Sequence, residues 1–144
     1  MKNIIVAIDF GDKEELLVEK AIELGQKFNS KIWLVHASAP DPDFVSFEAG
    51  PQSVRDERAK VLHKENRAIA TLADMAKSKG LDAVGLLIKG ATIEVILEES
   101  EKLNADILII GHKKHGFIEK LIKGSVSGGV LQHSKIPVMT VPLD

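Results

Sequence analysis

The sequence predicts an α/β fold, a five-stranded parallel, doubly wound sheet of strand order 3-2-1-4-5 with four helices. Three observations carry it. Short runs apolar at every position, such as Ile4-Ile5-Val6-Ala7-Ile8 and Ile107-Leu108-Ile109-Ile110, alternate with longer segments of helical period. Runs apolar on both faces suit parallel strands covered by helices on each side. Alternation of strand with helix imposes right-handed crossovers between those strands. With 144 residues, 44% of them hydrophobic, the chain has the size of one domain around one sizeable core, expected over residues 1–144.

Ile4 to Ile8 forms the first strand and ends at Asp9. After the turn Phe10-Gly11, Asp12 has the spacing to cap a helix while Glu15 returns the interaction, a capping box. Leu17, Ala21, Leu24 and Phe28 then share one face. Ile32 to Ala37 is the second strand, and the Pro-, Asp- and Ser-bearing stretch from Ser38 to Gln52 reads as a long loop. Ser53 with Asp56 opens the next helix by the same box logic. Its apolar stripe is Val54, Val61, Ala68, Leu72 and Met75, and Gly80 stops it. Val84 to Ile88, Ile93 to Leu103 and Ile107 to Ile110 follow as strand, helix and strand, the last ending at Gly111. Beyond a glycine-bearing loop, Ser125 to His133 forms the fourth helix with Val126, Val130 and Leu131 apolar. Pro137 to Val141 is the last strand, where Pro137 and the following Pro142 suit an edge position.

Composition excludes several classes of function. A formal net charge of -2, with 28% charged residues of both signs, is the wrong footprint for a nucleic-acid binder. The absence of cysteine removes disulfides, zinc thiolates and thiol nucleophiles, and suits a reducing compartment. The apolar run after Lys2 is broken by Asp9 and lacks a small-residue cleavage site, so it reads as a strand and not a signal. No apolar stretch approaches the roughly 20 residues that span a bilayer. A soluble, cytoplasmic protein without a membrane partner is expected.

In doubly wound sheets ligands sit outside the carboxyl ends of the strands, where successive connections leave in opposite directions. For the order 3-2-1-4-5 that switch lies between strands one and four, whose ends carry Asp9 and Gly111. From Gly111 to Ser127 the sequence is GHKKHGFIEKLIKGSVS. Its glycines let a backbone approach an anion, and the Gly124-Ser125 pair opens a helix whose free N–H groups and positive dipole end favour phosphate. Lys113, Lys114, Lys120 and Lys123 add positive charge. Gly111 and Gly116 imitate the two glycines of a P-loop, but Phe117-Ile118 stand where lysine and Ser/Thr belong, so a Walker ATPase is rejected. No G-x-G-x-x-G follows the first strand either.

These features resemble the universal stress protein family in its single-domain bacterial or archaeal form, with a Rossmann-like fold of the adenine nucleotide alpha hydrolase-like kind. Nucleotide-binding members carry Gly, two residues, Gly, nine residues, then Gly-Ser or Gly-Thr. Gly111 and Gly124-Ser125 stand at the right separation; Lys114 occupies the middle glycine's place, with Gly116 two residues later. The opening IIVAIDFG, LVHA, KGATIEVILEES, ADILIIGH, the ending SKIPVMTVP and the segment GPQSVRDE extend the resemblance over the chain. It implies that Ala7 and Asp9 lie beside a nucleotide, Ala37 near the adenine ring, and Gly111, Gly124, Ser125 and Val126 around ribose and phosphates. The nucleotide would be ATP, AMP or ADP, with Mg2+ as a companion of the phosphates. A homodimer paired through the terminal strand is also implied, and an exposed apolar edge at Val138 to Val141 would itself seek a partner.

Plainer roles stand beside these. Asp9 can bond the turn that follows it, and Ser125 can be a helix cap worth roughly 1 kcal/mol. His112 and His115 have the spacing of a metal pair but lack a third ligand, so no metal site is expected. His36 reads as a satisfied core or strand-end histidine, His63 and His133 as helix-face residues, and Glu98, Glu99 and Glu101 as a solvated face. No second titrating group accompanies Asp9, so a dedicated catalytic centre is not expected. Three readings remain: a nucleotide-binding regulatory module of the stress response with unknown protein partners; an interaction protein that Lys114 has deprived of nucleotide; and a weak ATPase.

Overall fold

In the computed structural model, which describes residues 1–38, 52–113 and 126–144, strands and helices alternate. They run β1 (Asn3–Ala7), α1 (Glu15–Phe28), β2 (Lys31–Ser38), α2 (Gln52–Lys77), β3 (Ala83–Lys89), α3 (Thr92–Lys102), β4 (Ile107–His112), α4 (Val126–His133) and β5 (Val138–Pro142). All strand pairs are parallel and the order is β3-β2-β1-β4-β5, as the sequence predicts. The long loop expected between Ser38 and Gln52 falls mostly outside the described residues.

The two-sided apolar runs explain how the layers assemble. Ile4, Val6, Ile32, Leu34 and Ile109 point to one face and meet Leu17, Val18 and Ala21 of α1 and Ile69, Leu72, Ala73 and Ala76 of α2. Ile5, Val35, Leu108 and Ile110 point to the other and meet Val95 and Ile96 of α3 and Val130 of α4. Ile4, Ile5 and Val6 are wholly buried. Each such side chain contributes about 1.5–3 kcal/mol over an exposed one, which fixes β1 as the centre of the sheet.

Four local expectations are corrected. The Asp12–Glu15 capping box does not form: the chain already turns helically at Glu14, and no side chain caps α1. Ser53 lies inside α2, and Asp56 accepts from the Gln52 side-chain amide at 2.9 Å. The stripe on α2 is buried only in its second half, leaving Val54 and Val61 exposed, while Phe28 of α1 and Leu131 of α4 are exposed too. For α2 the cause is length. Its 26 residues extend about 39 Å against about 26 Å for the eight residues of β2, so the first turns outrun the sheet beyond its carboxyl edge. Finally, Glu99 is buried and paired with Lys102 at 3.6 Å; it does not belong to the solvated face.

Candidate functional site

The carboxyl ends of β1 and β4 lie side by side. From β1 the chain passes to α1 on one face, while α4, which follows β4, packs on the other. Between them opens a crevice of about 150 Å³, lined among the described residues by Ala7, Asp9, Glu14, Thr92, Gly111 and Val126 with apolar neighbours. Four of the residues expected at the site, Ala7, Asp9, Gly111 and Val126, are thus brought together. Lys114, Gly116, Gly124 and Ser125 lie outside the described residues, as does His115.

Ala37 is not on the crevice wall but stands beside it. β2 pairs with β1 only as far as Val35 and with β3 through Ser38, so its last three residues outrun β1. Ile8 N–H donates to the Val35 carbonyl at 2.8 Å. Peptide groups two residues apart on a strand face the same neighbour, so the N–H and C=O of Ala37 face the space beyond the end of β1.

The turn after β1 is held by acidic side chains. Gly11 N–H donates to Asp9 Oδ1 at 2.7 Å, the local bond that aspartates at turns make. Glu14, only 5% exposed, accepts from Asp9 N–H through Oε1 at 2.6 Å and from Phe10 N–H through Oε2 at 2.9 Å. Its carboxyl lies close enough to that of Asp9 for the two to share a proton. Burial, then the Asp9 hydrogen bond, pushes Glu14 up to about 8. Burial works on Asp9 in the same direction, but its hydrogen bonds with Glu14 and Gly11 and the nearby Lys113 and His36 outweigh it, leaving Asp9 below its ordinary value. Burial thus favours the neutral form on Glu14, the more buried of the two carboxyls.

Behind the turn, the Phe10 ring lies 4.4 Å from that of His36. His36 Nδ1 faces the Ile8 carbonyl at 2.7 Å and Nε2 faces Glu65 Oε2 of α2 at 2.8 Å. His36 is therefore a strand-end histidine with specific partners, while His63 and His133 are exposed on helices. Among the described residues no group of three or more His, Asp or Glu side chains is placed to hold a metal ion.

Sequence reasoning missed Glu14 and Thr92. Nothing in the spacing of Glu14 separates it from an ordinary first-turn glutamate, because its partners are main-chain groups. Thr92 had a faint signal, being the first helical residue after Gly90-Ala91.

The universal stress protein family model matches residues 1–142. The universal stress protein in the QAH/OAS sulfhydrylase 3′ region of Thermus aquaticus is 29% identical over 143 residues, covering 97% of this chain and 98% of its own. A crystal structure of a universal stress protein in complex with cAMP matches with TM-score 0.75 at 22% identity, over 99% of this chain and 98% of that one. The crystal structure of an Arabidopsis thaliana protein of that family with AMP bound matches with TM-score 0.65 at 19% identity, over 100% and 93%. At these identities the two structures bear on the Rossmann-like fold.

Proposed function

Because the chain belongs to the universal stress protein family, we propose that it is an adenine-nucleotide-binding regulatory module of the stress response, working as one unit over residues 1–144 and as a homodimer. The observation that carries this is the crevice at the β1/β4 switch, where Ala7, Asp9, Gly111 and Val126 converge. Its position is the one at which doubly wound sheets hold ligands, and related proteins of this fold have been crystallised with cAMP and AMP.

In this reading the base lies over Ala7 beside the outward main-chain edge of Ala37. Gly111 and Val126, with Gly124 and Ser125, surround the ribose and phosphates, where Lys114 supplies an ammonium and Gly116 stands in for the missing middle glycine. ATP accompanied by Mg2+ is the fullest ligand, and AMP and ADP share its recognised part. Such a module works where adenine nucleotides are kept, in the cytoplasm, and transmits occupancy to protein partners rather than turning over substrate. Among the described residues, the two carboxyls at the crevice are committed to main-chain N–H groups of the turn. That leaves little to drive hydrolysis.

The test is mass spectrometry of small molecules released from the purified protein, followed by thermal unfolding with AMP, cAMP and ATP. A nucleotide at a hundred times its Kd stabilises by about 2.7 kcal/mol, a shift of several degrees in Tm. No co-purified nucleotide and no shift at millimolar concentrations would defeat the proposal. The second reading, an interaction protein deprived of nucleotide by Lys114 in the middle-glycine position, predicts that only Lys114→Gly binds.

A further inference from the structure

The nucleotide reading makes no use of the most deeply buried acid at the crevice. Glu14 is 5% exposed, lines the crevice wall and ties down two consecutive main-chain N–H groups, those of Asp9 and Phe10. The turn it ties has two non-glycine residues in the left-handed region, Phe10 at φ 62° and Lys13 at φ 65°. Such conformations persist only where surrounding contacts hold them. Glu14 supplies those contacts from inside, and the Phe10 ring against His36 supplies one from outside.

We propose that Glu14 is a positioning residue of the crevice: as a neutral acid it shares its proton with the Asp9 carboxylate and holds the turn closed, and losing that proton frees the turn and weakens adenine-nucleotide binding. The inference rests on the nucleotide reading and adds to it a residue and a chemical signal. With both carboxyls ionised, the buried Glu14 charge stands beside that of the exposed Asp9, and the turn relieves both the burial and the repulsion by opening toward water. Among the described residues, the charged and titratable groups facing the pair are Lys113 after β4 and His36 at the end of β2, itself facing Glu65 of α2. α3 and α4 present the uncharged Thr92 and Val126 to the crevice. With Glu14 releasing its proton near pH 8, affinity that depends on the neutral acid falls about tenfold between pH 7 and pH 9.

The experiment titrates wild type and Glu14→Gln with cAMP by calorimetry from pH 7 to 9.5, cAMP being chosen because its phosphodiester does not titrate there. The apo wild type is followed in parallel by carboxyl 13C and amide NMR. The expected result is a roughly tenfold loss of affinity by pH 9 in wild type and a change of less than about twofold over that range in Glu14→Gln, whose amide does not titrate but whose Nε2 cannot accept from the second main-chain N–H, so that its affinity starts lower. In the NMR titration the Glu14 carboxyl should move near pH 8, together with the amides of Asp9 and Phe10. Parallel affinity profiles in the two proteins would overturn the proposal, and so would a Glu14 carboxyl that titrates near its ordinary 4.5. Failure of cAMP and AMP to bind at pH 7 would instead defeat the nucleotide reading. The NMR titration would then still decide whether the shared proton holds the turn.

Discussion

At the end of β4, a Cβ on residue 111 would stand 2.6 Å from Leu143 Cδ1 and 3.4 Å from Leu17 Cδ2. Gly111 is thus needed first for packing: its bare α-carbon lets the C-terminal segment and α1 close over the strand end that forms the crevice floor. Gly111→Ala must push Leu143 aside, an overpacking cost of about 1–3 kcal/mol. Reduced freedom of the unfolded chain offsets about 0.4–1 kcal/mol of that. The expected net is a loss of about 1 kcal/mol in urea unfolding, with nucleotide affinity falling as the floor shifts; unchanged stability would show that Leu143 yields freely. Motif spacing singled out Gly111 but not this cause, because Leu143 is 32 residues away in sequence. Glu14 was hidden for a related reason: a side chain that binds main-chain N–H groups leaves no partner residue type to look for.

Among the elements, the strands were the most legible. Ile4 to Val6 and Ile107 to Ile110 are apolar on both faces because helices cover both faces, so composition alone reveals their burial. The helices were less so. Val54 and Val61 keep helical spacing yet are exposed, since periodicity records which side of a helix is apolar and not how far the sheet extends beneath it. Among the described residues, the overhanging part of α2 meets the sheet where Glu65 approaches His36, their side chains 14% and 15% exposed. Glu65→Ala should cost up to about 1 kcal/mol, the upper range for ion pairs near a protein surface. Amide exchange should speed up in the turns before Ala68 and stay slow at Ile69 to Ala76. Uniform exchange along α2 would refute that division.

At the scale of the whole molecule, β1 is sealed between β2 and β4, whereas β5 pairs with β4 alone among the described residues. Its residues Val138 to Thr140 are half-buried, and Val126 and Leu131 of the neighbouring α4 are exposed. An edge of this kind invites a second copy. Light scattering behind size-exclusion should give twice the 15.7 kDa chain mass, and Met139→Lys should return it toward one; a wild-type monomer at micromolar concentration would refute pairing through this strand. The overhang of α2 has a mechanical meaning as well. From Gln52 to Glu65 it reaches 13 residues, about 20 Å, past a fulcrum at His36, which in turn bears on the Ile8 carbonyl one residue before Asp9. A load placed on the tip of that beam is delivered, with leverage, to the hinge of the turn that borders the crevice.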